Sequence, residues 1–196
     1  MTQHWQALDA DGRFRQKTTP LSGLVAVQRI PRRDDRGSLE RLFCDEVFRG
    51  CGISKSIKQI NRTITRRAGT LRGLHFQHPP HAEVKIVQCL RGAVFDVALD
   101  LRRGSPTFLH WHGELLSAEN GVALVIPEGF AHGLQTLEDD TELLYLHTAA
   151  YCPSAEDGLS PLDPSLAIRW PMPASELSER DRNHPPLPHD FAGLTV

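Results

Sequence analysis

An all-β jelly roll or sandwich is the fold that this 196-residue chain predicts. Three observations predict it. Short runs rich in β-branched and aromatic residues recur at near-regular spacing. Clusters of Gly, Pro, Asn and Asp separate them, as at Arg91-Gly92, Gly104-Ser105-Pro106, Glu119-Asn120-Gly121 and Glu138-Asp139-Asp140. Helical periodicity is almost absent between the runs, which leaves two-layer β architectures as the way to bury the apolar faces.

In chain order, residues 1–22 read as a polar, irregular lead-in without the apolar stretch of a signal peptide. Residues 23–170 form the β domain, and residues 171–196 a proline-rich tail expected to pack back on it. The first strand spans 23–30 and ends at Pro31 and the charged turn 32–37. Residues 39–48 suit a short strand and then a helical turn. Residues 56–65, Ser-Ile-Lys-Gln-Ile-Asn-Arg-Thr-Ile-Thr, alternate apolar and polar side chains, the pattern of a half-buried strand. Strands then follow over 71–77, 83–91, 93–101, 107–116, 123–126 and 141–148. In the tail, 174–182 is a helix candidate with Ser175 as its cap.

Composition narrows the function. The chain is 40% hydrophobic and 23% charged with a net charge of −2, so it offers no basic surface for nucleic acid or anionic lipid. No apolar run approaches the ~20 residues of a membrane span. Cys44, Cys51, Cys89 and Cys152 lie far apart without a C-x-x-C pair, as structural thiols in a reducing cytoplasm do. The expectation is a cytoplasmic protein with neither nucleic-acid nor membrane partners.

Two polar knots interrupt the apolar runs. Residues 69–85 read Gly-Thr-Leu-Arg-Gly-Leu-His-Phe-Gln-His-Pro-Pro-His-Ala-Glu-Val-Lys, and residues 126–133 read Ile-Pro-Glu-Gly-Phe-Ala-His-Gly. Gly69 and His75 have the spacing G-x5-H; Gly121, Pro127, Gly129 and His132 have the spacing G-x5-P-x-G-x2-H. The pair, in this order, resembles the two motifs of the cupin barrel. Gln77 stands where that pattern has its second histidine, Lys85 where it has its acidic ligand, and Thr136 where it has Asn. A lysine ammonium repels a divalent ion, so His75, Gln77, Lys85 and His132 predict a proton-transfer site with no metal and no other cofactor. His78 and His81 flank Pro79-Pro80 and read as solvated loop residues. Asp96 and Asp100 alternate with apolar residues and read as facing solvent or a neighbouring strand; Arg102 and Arg103 read as surface charge or a structural pairing.

A closer resemblance runs through ordered blocks from about residue 23 to 190: 71–77, 85–87, 95–102, 104–108, 116–120, 126–133, Leu144-Tyr145, Tyr151-Cys-Pro, Ile168-Arg-Trp-Pro and Leu177-Ser-Glu-Arg-Asp181. Together they resemble dTDP-4-dehydrorhamnose 3,5-epimerase. The resemblance implies a dTDP-linked 4-keto-6-deoxyhexose as substrate, epimerisation at C3 and C5, and a homodimer that exchanges N-terminal strands. It implies His75 as general base, oriented by Asp181, Tyr145 as the acid on the opposite face, and Lys85 beside the C4 oxygen. Arg72, Gln59, Asn61, His132, Glu156, Tyr151 and Arg180 would hold the sugar nucleotide, and Arg36 would come from the partner subunit.

The residue types suit that chemistry without the resemblance. Protons at C3 and C5 are both α to the ketone, and an imidazole titrates near neutrality. An ammonium stabilises the developing enolate oxygen. A carboxylate on the imidazole fixes its tautomer. Arginine forks bind diphosphate oxygens in pairs.

The chain departs from the family pattern at the nucleotide end. Ala150 replaces an aromatic that stacks on thymine, Leu146 replaces a lysine, and Ser38-Leu39 replaces an aromatic pair. Tyr151 or Trp170 could supply a stacking surface instead. Two alternatives follow: an epimerase acting at one carbon only, and a non-catalytic cupin that binds a sugar nucleotide. A metal-dependent cupin is a third.

Overall fold

The structure is a computed structural model and describes residues 4–196. Its strands, in chain order, are β1 (Gln6–Ala7), β2 (Phe14–Thr18), β3 (Val25–Arg29), β4 (Arg32–Asp34), β5 (Gly37–Leu39), β6 (Gln59–Thr65), β7 (Leu71–Gln77), β8 (Lys85–Arg91), β9 (Ala93–Asp100), β10 (Trp111–Ser117), β11 (Val122–Ile126), β12 (Phe130–Thr136), β13 (Thr141–His147) and β14 (Glu156–Gly158). Two short helices, α1 (Asp45–Arg49) and α2 (Glu179–Arg182), complete it.

The strands form two facing sheets, a jelly roll of the cupin type. One runs β1-β2-β3-β11-β8-β13-β6 and the other β10-β9-β12-β7-β14, while β4 and β5 make a separate hairpin. Ala26, Val87, Leu124 and Ile126 of the first sheet meet Val94, Ala98, Leu116, Phe130 and Leu134 of the second in a common core. Each sheet is also covered outside. Phe14, Phe48 and Ile53 pack on Ile86, Val125 and Leu146, and Trp170, with Leu187, Phe191 and Leu194 of the tail, packs on Leu74, Leu99 and Ala131. Burial on both faces explains why β11, Val-Ala-Leu-Val-Ile, is apolar throughout rather than alternating.

Several expectations change. The lead-in is not irregular throughout: β2 pairs with β3 from Phe14↔Arg29 to Thr18↔Val25, with Phe14 fully buried. The second knot continues as β12, paired with β9 along its whole length. Residues 107–110 form a turn in which Thr107 Oγ1 bonds Asp100, and the strand starts only at Trp111. The tail helix is a single turn capped by Ser178, whose Oγ accepts from the Asp181 N–H at 3.0 Å. Ser175 instead donates to Ala68 O, and Glu176 bridges to Thr70, so the chain is extended where a helix was expected. On β6 the alternation is real but its polarity is inverted: Ile60 and Ile64 are exposed, and Gln59, Asn61 and Thr63 face inward.

Candidate active site

A cavity of about 490 Å³ opens between the two sheets, and strand periodicity decides what it contains. Gln59, Asn61 and Thr63 come from β6, and Tyr145 and His147 from β13, two apart in each case. β7 contributes Arg72, His75 and Gln77, β8 Lys85, and β12 His132. Glu83, Tyr151 and Glu156 complete the rim.

His75 and His132 are register partners across β7 and β12. Their strands run unusually close, because Gly73 and Gly133 face each other: a Cβ on Gly73 would sit 2.6 Å from the Cα of Gly133. Gly73 also has φ 110°, a conformation strained for any other residue, and its N–H donates to Asp181 Oδ2 at 3.3 Å.

Each histidine has its own carboxylate. His75 Nε2 donates to Asp181 Oδ1 at 2.6 Å. Burial alone would raise the Asp181 carboxyl, but the bonds from His75 and the Gly73 N–H outweigh it and hold the group below the usual carboxylate range. His132 Nε2 lies 2.8 Å from Asp96 Oδ2. Burial lowers His132 against the pull of Asp96, and Lys85 and His75 lower it further, so the ring is neutral. Tyr145 packs edge-on against His132, with ring centroids 6.1 Å apart. Burial, then the Asp96 carboxylate, pushes its phenol well above the ordinary value, so it keeps its proton at neutral pH.

Opposite these stands a charged cluster. Glu83 Oε1 lies 3.5 Å from Lys85 Nζ, and Glu83 Oε2 accepts from His147 Nδ1 at 2.8 Å. Although burial works to raise it, His147 and Lys85 hold Glu83 below its ordinary value. His147 Nε2 is 3.5 Å from Asn61 Nδ2, and its ring stacks on Tyr145. At the mouth, Tyr151 OH donates to Glu156 Oε2 at 2.6 Å and Arg180 pairs with Glu156 Oε1 at 2.5 Å. Gln77 fastens this loop, its Oε1 accepting from the Cys152 N–H. Tyr151 itself is about half exposed.

Of the residues expected from the sequence, Gln59, Asn61, Arg72, His75, Lys85, His132, Tyr145, Tyr151 and Glu156 all line the cavity. Asp181 and Arg180 stand behind it, bonded to His75 and Glu156. Arg36 does not reach the site of its own chain. It lies on the β4–β5 turn, bonded to Asp34 at 2.6 Å and almost fully exposed. Trp170 does not line the cavity either; it packs against Phe95 and donates to Pro161 O. Asp96 and Asp100 do not face solvent. Both are fully buried, Asp96 on His132 and Asp100 on Arg102, Ser105 and Thr107.

Glu83 and His147 escaped the sequence reading. His147 could have been found from its place two residues beyond Tyr145, on the same face of β13. His184, beside Asp181 in the tail, had no such signal.

The arrangement can take a proton at His75, give one from Tyr145, and stabilise an oxyanion near Lys85. Residues 18–189 match the dTDP-4-dehydrorhamnose 3,5-epimerase family. A relative named dTDP-4-dehydrorhamnose 3,5-epimerase, from Sinorhizobium fredii, is 44% identical over 79% of this chain and 80% of its own length. A dTDP-4-dehydrorhamnose 3-epimerase from Streptomyces niveus is 38% identical over 83% of this chain and 79% of its own. Among solved structures, the 3,5-epimerase of Bacillus anthracis with TDP and PPi bound superposes with a TM-score of 0.85 at 37% identity, covering 89% of this chain and 99% of that one. The Legionella pneumophila enzyme, in complex with dTDP-4-keto-L-rhamnose, gives a TM-score of 0.84 at 36% identity, covering 88% and 92%.

Proposed function

We propose, for a chain that belongs to the dTDP-4-dehydrorhamnose 3,5-epimerase family, that it epimerises a dTDP-linked 4-keto-6-deoxyhexose at C3 and C5. The observation that carries the reading is the His75–Asp181 pair, closed to 2.6 Å beside the cavity that Lys85 and Tyr145 also line.

His75, with its Nε2 proton held by Asp181, takes the C3 or C5 proton on its other ring nitrogen. Electron density moves to the C4 oxygen, and the Lys85 ammonium stabilises the enolate. Tyr145, kept protonated by its surroundings, returns a proton to the opposite face and inverts the carbon. The sequence is redox-neutral, so its chemistry calls for no cofactor. Arg72, Gln59 and Asn61 hold the sugar nucleotide, and His132 lines the sugar side with Asp96 as its partner. Tyr151, braced by Glu156 and Arg180, offers the base a stacking face in place of the aromatic missing at Ala150.

Arg36 of the β4–β5 hairpin does not line its own cavity and is almost fully exposed, which supports a homodimer in which it completes the partner's site. Among the described residues no helix is long and apolar enough to cross a membrane. A diphosphate-bearing substrate does not cross one unaided, which supports a cytoplasmic enzyme.

The test is NMR of the dTDP-4-keto-6-deoxyglucose substrate incubated with the enzyme in deuterated water. Label is expected at both C3 and C5. Label at one carbon only would make the protein a single-site epimerase like the Streptomyces niveus relative, and label at neither would overturn the reading.

A further inference from the structure

Where the tail crosses β7 and β14, a second imidazole stands beside the His75–Asp181 pair. His184, two residues beyond α2, has its Nε2 3.8 Å from Asp181 Oδ1 and its ring edge-on to His75, centroids 5.5 Å apart. That Nε2 is buried and has no hydrogen-bond partner. Gly158, the register partner of His75, makes room for the ring, since a Cβ there would lie 2.4 Å from two of its atoms. A buried polar atom left unpartnered is costly, because it has given up its hydrogen bonds to water. The proposed reaction makes no use of it. Burial, with a contribution from His75, lowers the His184 pKa, so at neutral pH the ring is uncharged and carries a free lone pair.

We propose that His75 Nε2, Asp181 Oδ1 and His184 Nε2 form a binding site for a divalent transition-metal ion, Zn²⁺ foremost, and that its occupation silences His75 as a base. The three donor atoms all lie within 4.8 Å of one another. Two imidazoles and a carboxylate are a donor set that suits zinc. Bonds of about 2.0–2.2 Å place the donors of one tetrahedral ion roughly 3.3 Å apart. The His75–Asp181 contact would therefore open slightly, while rotation of the His184 side chain, on the order of 1 Å at its tip, would close the rest. Water can fill the fourth position. This site shares only His75 with the cupin metal position, where Lys85 repels a cation.

The consequence follows from the tautomers of imidazole. Without metal, His75 carries its proton on Nε2 and gives it to Asp181, leaving Nδ1 free to accept from substrate. With the ion on Nε2, that proton moves to Nδ1 and the metal takes its place on the carboxylate. No proton is released, the ring stays neutral, and the nitrogen that worked as the base is now a donor. The silencing rests on the reading of His75 as the base; the binding does not.

The test has two readouts on the full-length protein. Chelator-treated enzyme is titrated with Co²⁺, a spectroscopic stand-in for Zn²⁺, and the visible d–d absorption is followed. The expected result is one saturable equivalent, displaced by Zn²⁺ and weakened about tenfold or more in both His184→Ala and His184→Gln. His189→Ala, elsewhere in the tail, should leave the titration unchanged. Absence of the absorption, or equal affinity in the His184 variants, would overturn the site. Deuterium exchange is then measured with and without Zn²⁺. Wild type should lose exchange as one equivalent binds and recover it with chelator, whereas His184→Gln should exchange at the wild-type rate and resist the same Zn²⁺. Stoichiometric binding with undiminished exchange would overturn the silencing. A metal-free enzyme that exchanges nothing would overturn the reaction reading and the silencing with it, and the Co²⁺ titration would still decide the site.

Discussion

His75 and His132 face each other as register partners, each on a carboxylate, yet their surroundings differ. His132 is buried, pressed toward its neutral form by burial, Lys85 and His75, and tied to Asp96 at 2.8 Å. His75 keeps 29% of its side chain open, enough to meet a substrate. The open histidine is the better base. His75→Ala should lower deuterium exchange by roughly 10²–10⁴-fold while dTDP affinity, read by calorimetry, stays close to wild type. Exchange near the wild-type rate would move the base elsewhere.

Tyr145 should separate exchange from inversion. Tyr145→Phe removes the acid and leaves the base, so label should still enter the sugar while the yield of inverted product drops by roughly 10²–10⁴-fold. NMR of the recovered sugar distinguishes the two, and equal loss of both would assign Tyr145 a different step.

Lys85 is held by Glu83, which also holds His147. Lys85→Met should cost roughly 10²–10³-fold in kcat, the usual consequence of losing one oxyanion partner, with a much smaller change in KM. A change confined to KM would make Lys85 a binding residue only.

Tyr151 lines the cavity and is about half exposed. Tyr151→Ala should weaken dTDP binding by about 1–3 kcal/mol, the worth of one base–aromatic stack, and leave kcat for saturating substrate nearly unchanged. Undiminished affinity would show that the base lies elsewhere.

Asp100 gives the pH dependence of stability. Burial opposes ionisation there, but bonds from Arg102, Ser105 and Thr107 outweigh it and hold the carboxyl at about 2. A carboxyl lowered by folding stabilises the protein above its unfolded value, near ~4, and loses that effect as pH falls through the folded value. Asp100→Asn should therefore cost about 1.5–3 kcal/mol at pH 7. The difference from wild type should shrink between pH ~4 and ~2, as thermal melts across that range will show. A difference independent of pH would mean that the charge is not what stabilises this turn.

Local rules made much of this legible. Most strands, the turns between them and the spacings that place His75, Lys85 and His132 follow from side-chain alternation and from Gly and Pro chemistry. Both β12 and the early strand β2 were harder, because their pairing partners, β9 and β3, supply most of what defines them.

The sequence by itself determined an all-β barrel and a polar centre built on His75. Tertiary structure alone decided which face of each strand that centre occupies. Alternation in β6 says that its two faces differ, not which one looks inward, and here Ile60 and Ile64 look out while Gln59, Asn61 and Thr63 look in. It also decided the partners. Asp181 reaches His75 across 106 residues, a pairing that the family resemblance implied but no local pattern shows; Asp96 is buried on His132 rather than solvated, and His184 comes to rest beside both members of the first pair. Such contacts join segments far apart in the chain, and only the closing of the two sheets and the return of the tail brings their side chains within bonding distance.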